Sequence, residues 1–354
     1  MKSASELLNV AIVGLGRMGE IYARTITAEI SETRIIAIVD PNEAARESFR
    51  TRFRVPNAFA GIEDALALDD LDAVIVASPT STHQDIIVAT AAAGKAIFTE
   101  KPLALSLVET RSCIEAVERA GVMMQVGFMR RFDEGYRRAK DQIAEGKIGI
   151  PVIFNAIGRD IQCPRVEFAA HSGGIIIDMG IHDMDIARWL MGSEITSVSA
   201  ETTLMVCQDL HSIGDMDNAV INLRFESGAL GSVELSRNAF YGYDLRTEVL
   251  GSNGVVRVGV EKLGSKTLAN GDVRAAEGER YLMDRFGRAY GAQIHHFVEC
   301  IRTGKPPAAT GADALAAFEI SLAATYSART GRPVTIDSIR TGWTPSDHDA
   351  VRFG

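Results

Sequence analysis

Cysteine is scarce in this chain and unpatterned. Cys113, Cys163, Cys207 and Cys300 lie far apart and form no C-x-x-C pair, which argues against a disulfide framework and suits a reducing cytosol. A basic excess is missing as well: 37 Lys and Arg stand against 46 Asp and Glu, for a net charge of −9. A surface of that sign does not neutralise phosphates, so nucleic acid and anionic membrane surfaces are excluded as partners. No apolar run approaches the length of a bilayer span. The opening residues hold no long apolar stretch ahead of a cleavage site, and 9–13 reads as a strand rather than as part of a signal peptide. Neither H-E-x-x-H nor paired-cysteine spacing occurs, so no metal is expected. What is left is a soluble, cytoplasmic protein whose 354 residues suffice for two domains, each with its own core.

The amino-terminal half alternates strand and helix. NVAIV ends at Gly14-Leu15-Gly16-Arg17-Met18-Gly19, and EIYARTITAEI follows as a helix. In that context Gly14 permits the tight turn, Gly16 lets backbone approach a pyrophosphate, and Gly19 allows the helix to pack on the strand. The helix N-terminus, with Arg17 and Met18 in its first turn, then faces the phosphates. A second strand, RIIAIVD, ends at Asp40, 21 residues beyond Gly19. A carboxylate there accepts from ribose hydroxyls and repels a 2′-phosphate, which favours NAD over NADP; Arg46, a helical turn further on, is the cation that could oppose this. Later units end at Ser78-Pro79-Thr80-Ser81-Thr82-His83 and at Glu100-Lys101-Pro102. The expected fold over 1–127 is a doubly wound parallel Rossmann sheet, with these segments on its carboxyl edge. Lys101, on a backbone restricted by Pro102, could polarise a substrate oxygen; it could equally be a solvated lysine.

After Gly127 the alternation stops. A charged helix (RRFDEGYRRAKDQIAEGKIG) leads into a second domain, 128–336, of strand-like runs in succession, which implies an open, mostly antiparallel sheet. Helices on one face of such a sheet leave the other face to be covered, so a homo-oligomer is expected. Residues 337–354 read as an unassigned polar tail. Within this half, 173–192 (GGIIIDMGIHDMDIARWLMG) spaces Asp178, His182, Asp185 and Trp189 at i, i+4, i+7 and i+11, one stripe of an otherwise apolar helix. Three ionisable groups on a buried helix need partners, a metal or a ligand. A core histidine satisfied by flanking carboxylates, a solvent face and a metal site all remain open on this stripe alone.

The motifs taken in order, namely GLGRMG, Asp40, SPTSTH, EKP, VGFMRRFD, the D-x-x-x-H of 178–182, SRNAFYGYD and GADALAAFEIS, resemble the glucose–fructose oxidoreductase / inositol dehydrogenase / rhizopine-catabolism family over about residues 9–336. EKP with D-x-x-x-H is specific to that family; VGFMRRFD and YGYD resemble its inositol subgroup. The resemblance implies NAD-dependent oxidation of a secondary hydroxyl on a cyclic polyol, myo-inositol foremost, or on scyllo-inositol or an aldose. It also implies a tetramer and a catalytic trio of Lys101, Asp178 and His182. Asp185 matches a substrate carboxylate of the same motif, and Asp160, Tyr241 and Tyr290 match substrate-contacting positions. Ser78, Thr80, His83, Glu100 and Arg130 fall in segments that line the cofactor. The stretch 159–164 departs from the subgroup's Asp-Pro pattern, since Ile161, Gln162 and Cys163 intervene, so the polyol itself is not carried across. A non-catalytic NAD-binding sugar sensor is the rival of another class; such a sensor could dispense with Lys101 and His182, and this chain carries both.

Overall fold

The computed structural model describes residues 7–259 and 282–345. The chain forms two compact units, one from Met1–Phe132 with Gly287–Leu315, the other from Asp133–Phe286 with Ala316–Gly354. These compact units differ from the expected blocks 1–127 and 128–336 chiefly in where Gly287–Leu315 falls. The late helix Leu282–Thr303 supplies the difference: its Phe297 ring packs on Phe98 at 5.8 Å, and Gln125 donates to the Gln293 carbonyl at 2.8 Å. Apolar burial of that kind draws a sequence-distant helix back to the first sheet.

The first unit holds β1 (Leu8–Val13), β2 (Thr33–Val39), β3 (Asn57–Phe59), β4 (Ala73–Val76), β5 (Ala96–Thr99) and β6 (Met124–Val126), in the order β3-β2-β1-β4-β5-β6. All neighbours run parallel. Every residue of β1 and β4 is buried, as continuous apolar runs covered on both faces must be. The register aligns the strand ends: Val13 lies opposite Val39 and Val76, Val76 opposite Thr99, and Thr99 opposite Val126. Gly14, Asp40, Ala77, Glu100 and Gly127 thus form one row along the carboxyl edge.

The second unit holds β7 (Pro151–Arg159), β8 (Ile195–Thr203), β9 (Asn218–Phe225), β10 (Leu230–Ser236), β11 (Asp244–Gly251), β12 (Gly254–Val258) and β13 (Val334–Thr335), ordered β12-β11-β7-β10-β9-β8-β13. Only β7 and β10 pair in parallel among the described strands of this sheet. Alternation along β9 turns Ala219, Ile221, Leu223 and Phe225 inward and leaves Val220, Asn222 and Arg224 outward. On the open face, Arg224, Leu230, Ile153, Leu250 and Val255 stand opposite one another across five strands, and the four apolar ones are exposed. The tail is not wholly irregular. Ile336–Arg340 is helical, Arg340 pairs with Glu319 at 2.8 Å, and Trp343 stacks edge-on to Tyr326; residues 346–354 lie outside the described residues. Among the described residues no helix is long and apolar enough to cross a membrane.

Cysteine spacing misleads here. Cys163 and Cys207 form a disulfide, with Cα atoms 5.5 Å apart. The short helix Val166–Ala169 and the turn Gln208–Ile213 share a small apolar cluster of Ala169, Leu210, Leu204 and Ile213, and that packing brings together two cysteines 44 residues apart in sequence. Separation along the chain carries no such information, and the inference from spacing to a reducing compartment lapses with it. Cys113 and Cys300 are free and buried. Closing a loop of that length restricts the unfolded chain, so replacing both bonded cysteines by serine lowers the unfolding free energy by about 2–4 kcal/mol. Urea melts of the wild type with and without reductant check this, and superimposable curves would contradict the bond.

Candidate active site

The glycine turn is built for close approach. Gly14 has φ +89°, and a Cβ there would meet the Ser78 nitrogen at 2.4 Å; one on Gly19 would come within 2.0 Å of the Gly14 carbonyl oxygen. Around Gly16 a Cβ would meet nothing within 4 Å, so the space beside this backbone is open. Gly16 also begins the helix Arg17–Glu29 and adds no side-chain cap to its first turn, leaving those N–H groups available to an anion. Asp40 accepts from the Leu15 N–H and the Asn42 N–H, both at 2.9 Å, which fixes its carboxylate beside the turn. Arg46 donates to the carbonyls of Asp40 (2.7 Å) and Pro41 (3.1 Å). Arg46, the cation placed to hold a 2′-phosphate, is thereby engaged by backbone. A dinucleotide with a free ribose diol fits these residues.

The neighbouring segments are clasped together. The buried His83 ring sits between the carbonyls of Ser78 and Pro102, 2.9 Å from each; burial pushes its imidazole below the ordinary value. A neutral ring has one N–H to donate, so His83 bonds one of these carbonyls and lies against the other, next to the Lys101-Pro102 peptide, which is cis. Ser78 and Thr82 hydroxyls share a hydrogen bond at 2.7 Å across the turn Thr80–Thr82. Glu100 accepts from the Tyr22 hydroxyl and from the Lys101 N–H. Desolvation pushes its carboxyl up, against the Tyr22 hydroxyl and the Lys101 ammonium. Gly127 leaves room for that carboxyl, since a Cβ there would lie 3.2 Å from it. Arg130 is buried in the turn Met129–Phe132. Tyr290, expected at the substrate, is buried with its ring against Tyr22 at 6.1 Å.

In the second unit the stretch 173–192 is not one uniform α-helix. After Gly173 and Gly174, both at positive φ, Ile176–Gly180 winds as a π-helical turn and Ile181–Met191 continues as α-helix, closed by Gly192 in the left-handed region. The 3.6-residue stripe expected from the spacing is therefore broken between Asp178 and His182. Such π turns recur at functional sites. Asp178 is partly exposed, while His182, Asp183 and Asp185 are buried. Gly180 allows the helix to press on β10, where a Cβ would meet Leu235 at 3.0 Å. Trp189 lies beside Lys140, whose ammonium is 5.8 Å from its ring centroid.

Asp160 follows β7 and is held by its backbone to Ser236 (2.9 Å) and Ala239 (2.8 Å). The Tyr241 hydroxyl accepts from Arg159 at 2.8 Å and donates to Asp244 at 2.7 Å; burial and the Asp244 carboxylate raise its phenol against the Arg159 guanidinium. Residues that sequence reading passed over complete the cluster. Arg237 pairs with Asp178 at 3.1 Å and Asp215 at 2.6 Å. Asp217 accepts from the N–H groups of Cys207 (2.7 Å), Met205 (2.9 Å) and Val206 (2.6 Å). Burial favours its neutral form, but those donors prevail and hold the carboxyl below its ordinary range.

Against known proteins, residues 8–128 match the model of an oxidoreductase family with an NAD-binding Rossmann fold, and residues 140–336 match that family's C-terminal alpha/beta domain. Together the two models span most of the chain. The chain belongs to this family, that of glucose–fructose oxidoreductase, inositol dehydrogenase and the rhizopine-catabolism proteins. It is an oxidoreductase, and NAD is its cofactor. Within the family it is 40% identical over 327 residues to scyllo-inositol 2-dehydrogenase (NAD(+)) of Bacillus subtilis, covering 92% of this chain and 96% of the relative. Myo-inositol 2-dehydrogenase of Thermotoga maritima is 35% identical over 94% of this chain and 99% of its own. A crystal structure of Lactobacillus casei scyllo-inositol dehydrogenase with NAD(H) and scyllo-inositol superimposes with a TM-score of 0.85 at 29% identity, over 94% of this chain and 100% of that one. The EKP and D-x-x-x-H segments on which the resemblance rests lie at Glu100-Lys101-Pro102 and at Asp178 to His182, within the matched residues.

Proposed function

We propose that this oxidoreductase oxidises a secondary hydroxyl of a cyclic polyol, myo-inositol to its 2-ketone, with Lys101, Asp178 and His182 as the catalytic set. The observation that carries this reading is the pairing of both family motifs with full-length similarity to inositol 2-dehydrogenases at 35–40% identity. Scyllo-inositol is the second reading, favoured by the 40% identity to a relative named scyllo-inositol 2-dehydrogenase, and the altered stretch 159–164 leaves the choice of polyol to experiment. His182 takes the hydroxyl proton as general base, and Asp178 orients the imidazole and stabilises its protonated form. Lys101 donates to the same oxygen and eases its alkoxide character. NAD, when bound, supplies the acceptor for the carbon's hydride. Asp185 and Asp160 bind the remaining hydroxyls, with Tyr241 and Tyr290 as further contacts. The glycine turn 14–19 and Asp40 bind the dinucleotide, and Ser78, Thr80, His83, Glu100, Lys101 and Arg130 serve its nicotinamide end.

A panel of inositols and aldoses with NAD and NADP, followed by reduced-cofactor absorbance, tests the reading. The expected result is turnover of an inositol with NAD and far less with NADP. NAD binding with no turnover on any member would instead favour a sensor. We also propose a homotetramer closed over the open face of the second sheet, supported by the exposed row Leu230, Ile153, Leu250 and Val255. A monomeric sedimentation profile at micromolar concentration would reject it.

A further inference from the structure

Arg237 follows β10, is 1% exposed, and pairs with the buried Asp215 and the partly exposed Asp178. Its fork divides: Nη1 donates to Asp215 Oδ2 at 2.6 Å and Nη2 to Asp178 Oδ2 at 3.1 Å. Neither anchor is loose. Asp215 Oδ1 also accepts the N–H groups of Ile175 (3.1 Å) and Met216 (2.8 Å), which ties it to the start of the catalytic helix. The Arg237 backbone N–H donates to the Asp217 carbonyl at 2.9 Å, and the Asp217 carboxylate holds the turn that carries Cys207. The guanidinium is therefore fixed at its root and at both tips. Asp178 sits in a π turn with a partly exposed side chain, and its Oδ2 takes the second arm of that fork.

We propose that Arg237 is a positioning residue for the oxidation, holding the Asp178 carboxylate in the one orientation in which it supports His182, with Asp215 as its counterweight. The proposal rests on the reading of Asp178 and His182 as catalytic. A guanidinium paired with Asp178 alone would fix the carboxylate but also cancel the negative charge that steadies a protonated imidazole. Two carboxylates on one guanidinium leave a net negative charge, so orientation is gained without quenching that field. A carboxylate already in place needs no rearrangement as the proton arrives, and misplacement by an ångström is enough to cost about a hundredfold in rate. Lysine keeps the charge, but its compact ammonium is not a planar fork that spans two carboxylates.

The test is a kinetic cycle in the intact enzyme with NAD and whichever of myo-inositol and scyllo-inositol the wild type turns over faster. Arg237→Gln is expected to lower kcat by about 10- to 100-fold with KM changed less than about threefold, and Arg237→Lys to recover part of the loss. The deciding measurement is Arg237→Gln combined with Asp178→Asn: if Arg237 acts through Asp178, the double variant is no slower than Asp178→Asn alone by more than about threefold. Losses that multiply, or a kcat for Arg237→Gln within about twofold of wild type, overturn the proposal. Should the Gln variant not fold, Arg237→Lys runs through the same cycle with the same criteria. Failure of the underlying reading shows elsewhere, as near-normal turnover in Asp178→Asn and His182→Ala.

Discussion

His182→Ala loses about 10²–10⁴-fold in kcat, the usual share of a positioned general base, while its affinity for NAD stays close to that of the wild type. The second half of that expectation follows from the proposed roles: Gly14, Gly16, Gly19 and Asp40 hold the dinucleotide, and His182 acts on the substrate hydroxyl. Because His182 is buried, truncation also removes some packing, so a stability measurement must accompany the kinetics. The two roles open to a buried histidine separate cleanly on that pair of readouts. A core histidine satisfied by its neighbours would give a less stable protein with turnover intact. A base would give the loss of rate with KM little changed, because the interaction it removes belongs to the transition state. Steady-state kinetics, cofactor titration by fluorescence and a thermal melt on one preparation decide it, and near-normal kcat would remove His182 from the mechanism.

How far the sequence reaches is clearest at the residues where it succeeds and fails on the same element. The glycine turn was legible because each glycine answers a backbone demand, and two of those demands are visible as Cβ positions that would collide with backbone at Gly14 and Gly19. Asp40 was legible as a strand-end carboxylate, but the engagement of Arg46 by two carbonyls depends on a rotamer that no spacing encodes. The polar stripe of 178–189 follows from a period of 3.6, and the π turn at Ile176–Gly180 inserts a different period between Asp178 and His182. Arg237 carried no signal at all, being one basic residue after one strand; only the parallel pairing of β7 with β10 and the return of the chain past Asp215 give it meaning. The Cys163–Cys207 bond was missed for the same reason. Local pattern reports on local backbone, whereas burial partners are set by topology.

Lys101→Met is the second change with a large expected effect, about 10²–10³-fold in kcat/KM, because it removes the donor proposed to stabilise negative charge on the reacting oxygen while keeping the side chain's bulk. The loss should fall mainly on kcat: the ground-state hydroxyl gains little from an ammonium that the alkoxide needs. A stability signature of determined sign accompanies it. Desolvation pushes the Glu100 carboxyl above its ordinary value, and the Tyr22 hydroxyl and the Lys101 ammonium work in the opposite direction. For a carboxyl with a raised folded-state pKa, stability is fully present below the unfolded value and falls as pH rises through the folded one. Without Lys101 the Glu100 carboxyl rises further, so the variant goes on losing stability relative to the wild type to a higher pH. Melting temperatures from acidic to alkaline pH, set beside kinetics at fixed pH, separate the two consequences. An unchanged kcat/KM together with the shifted melting profile would leave Lys101 as a partner of Glu100 and nothing more.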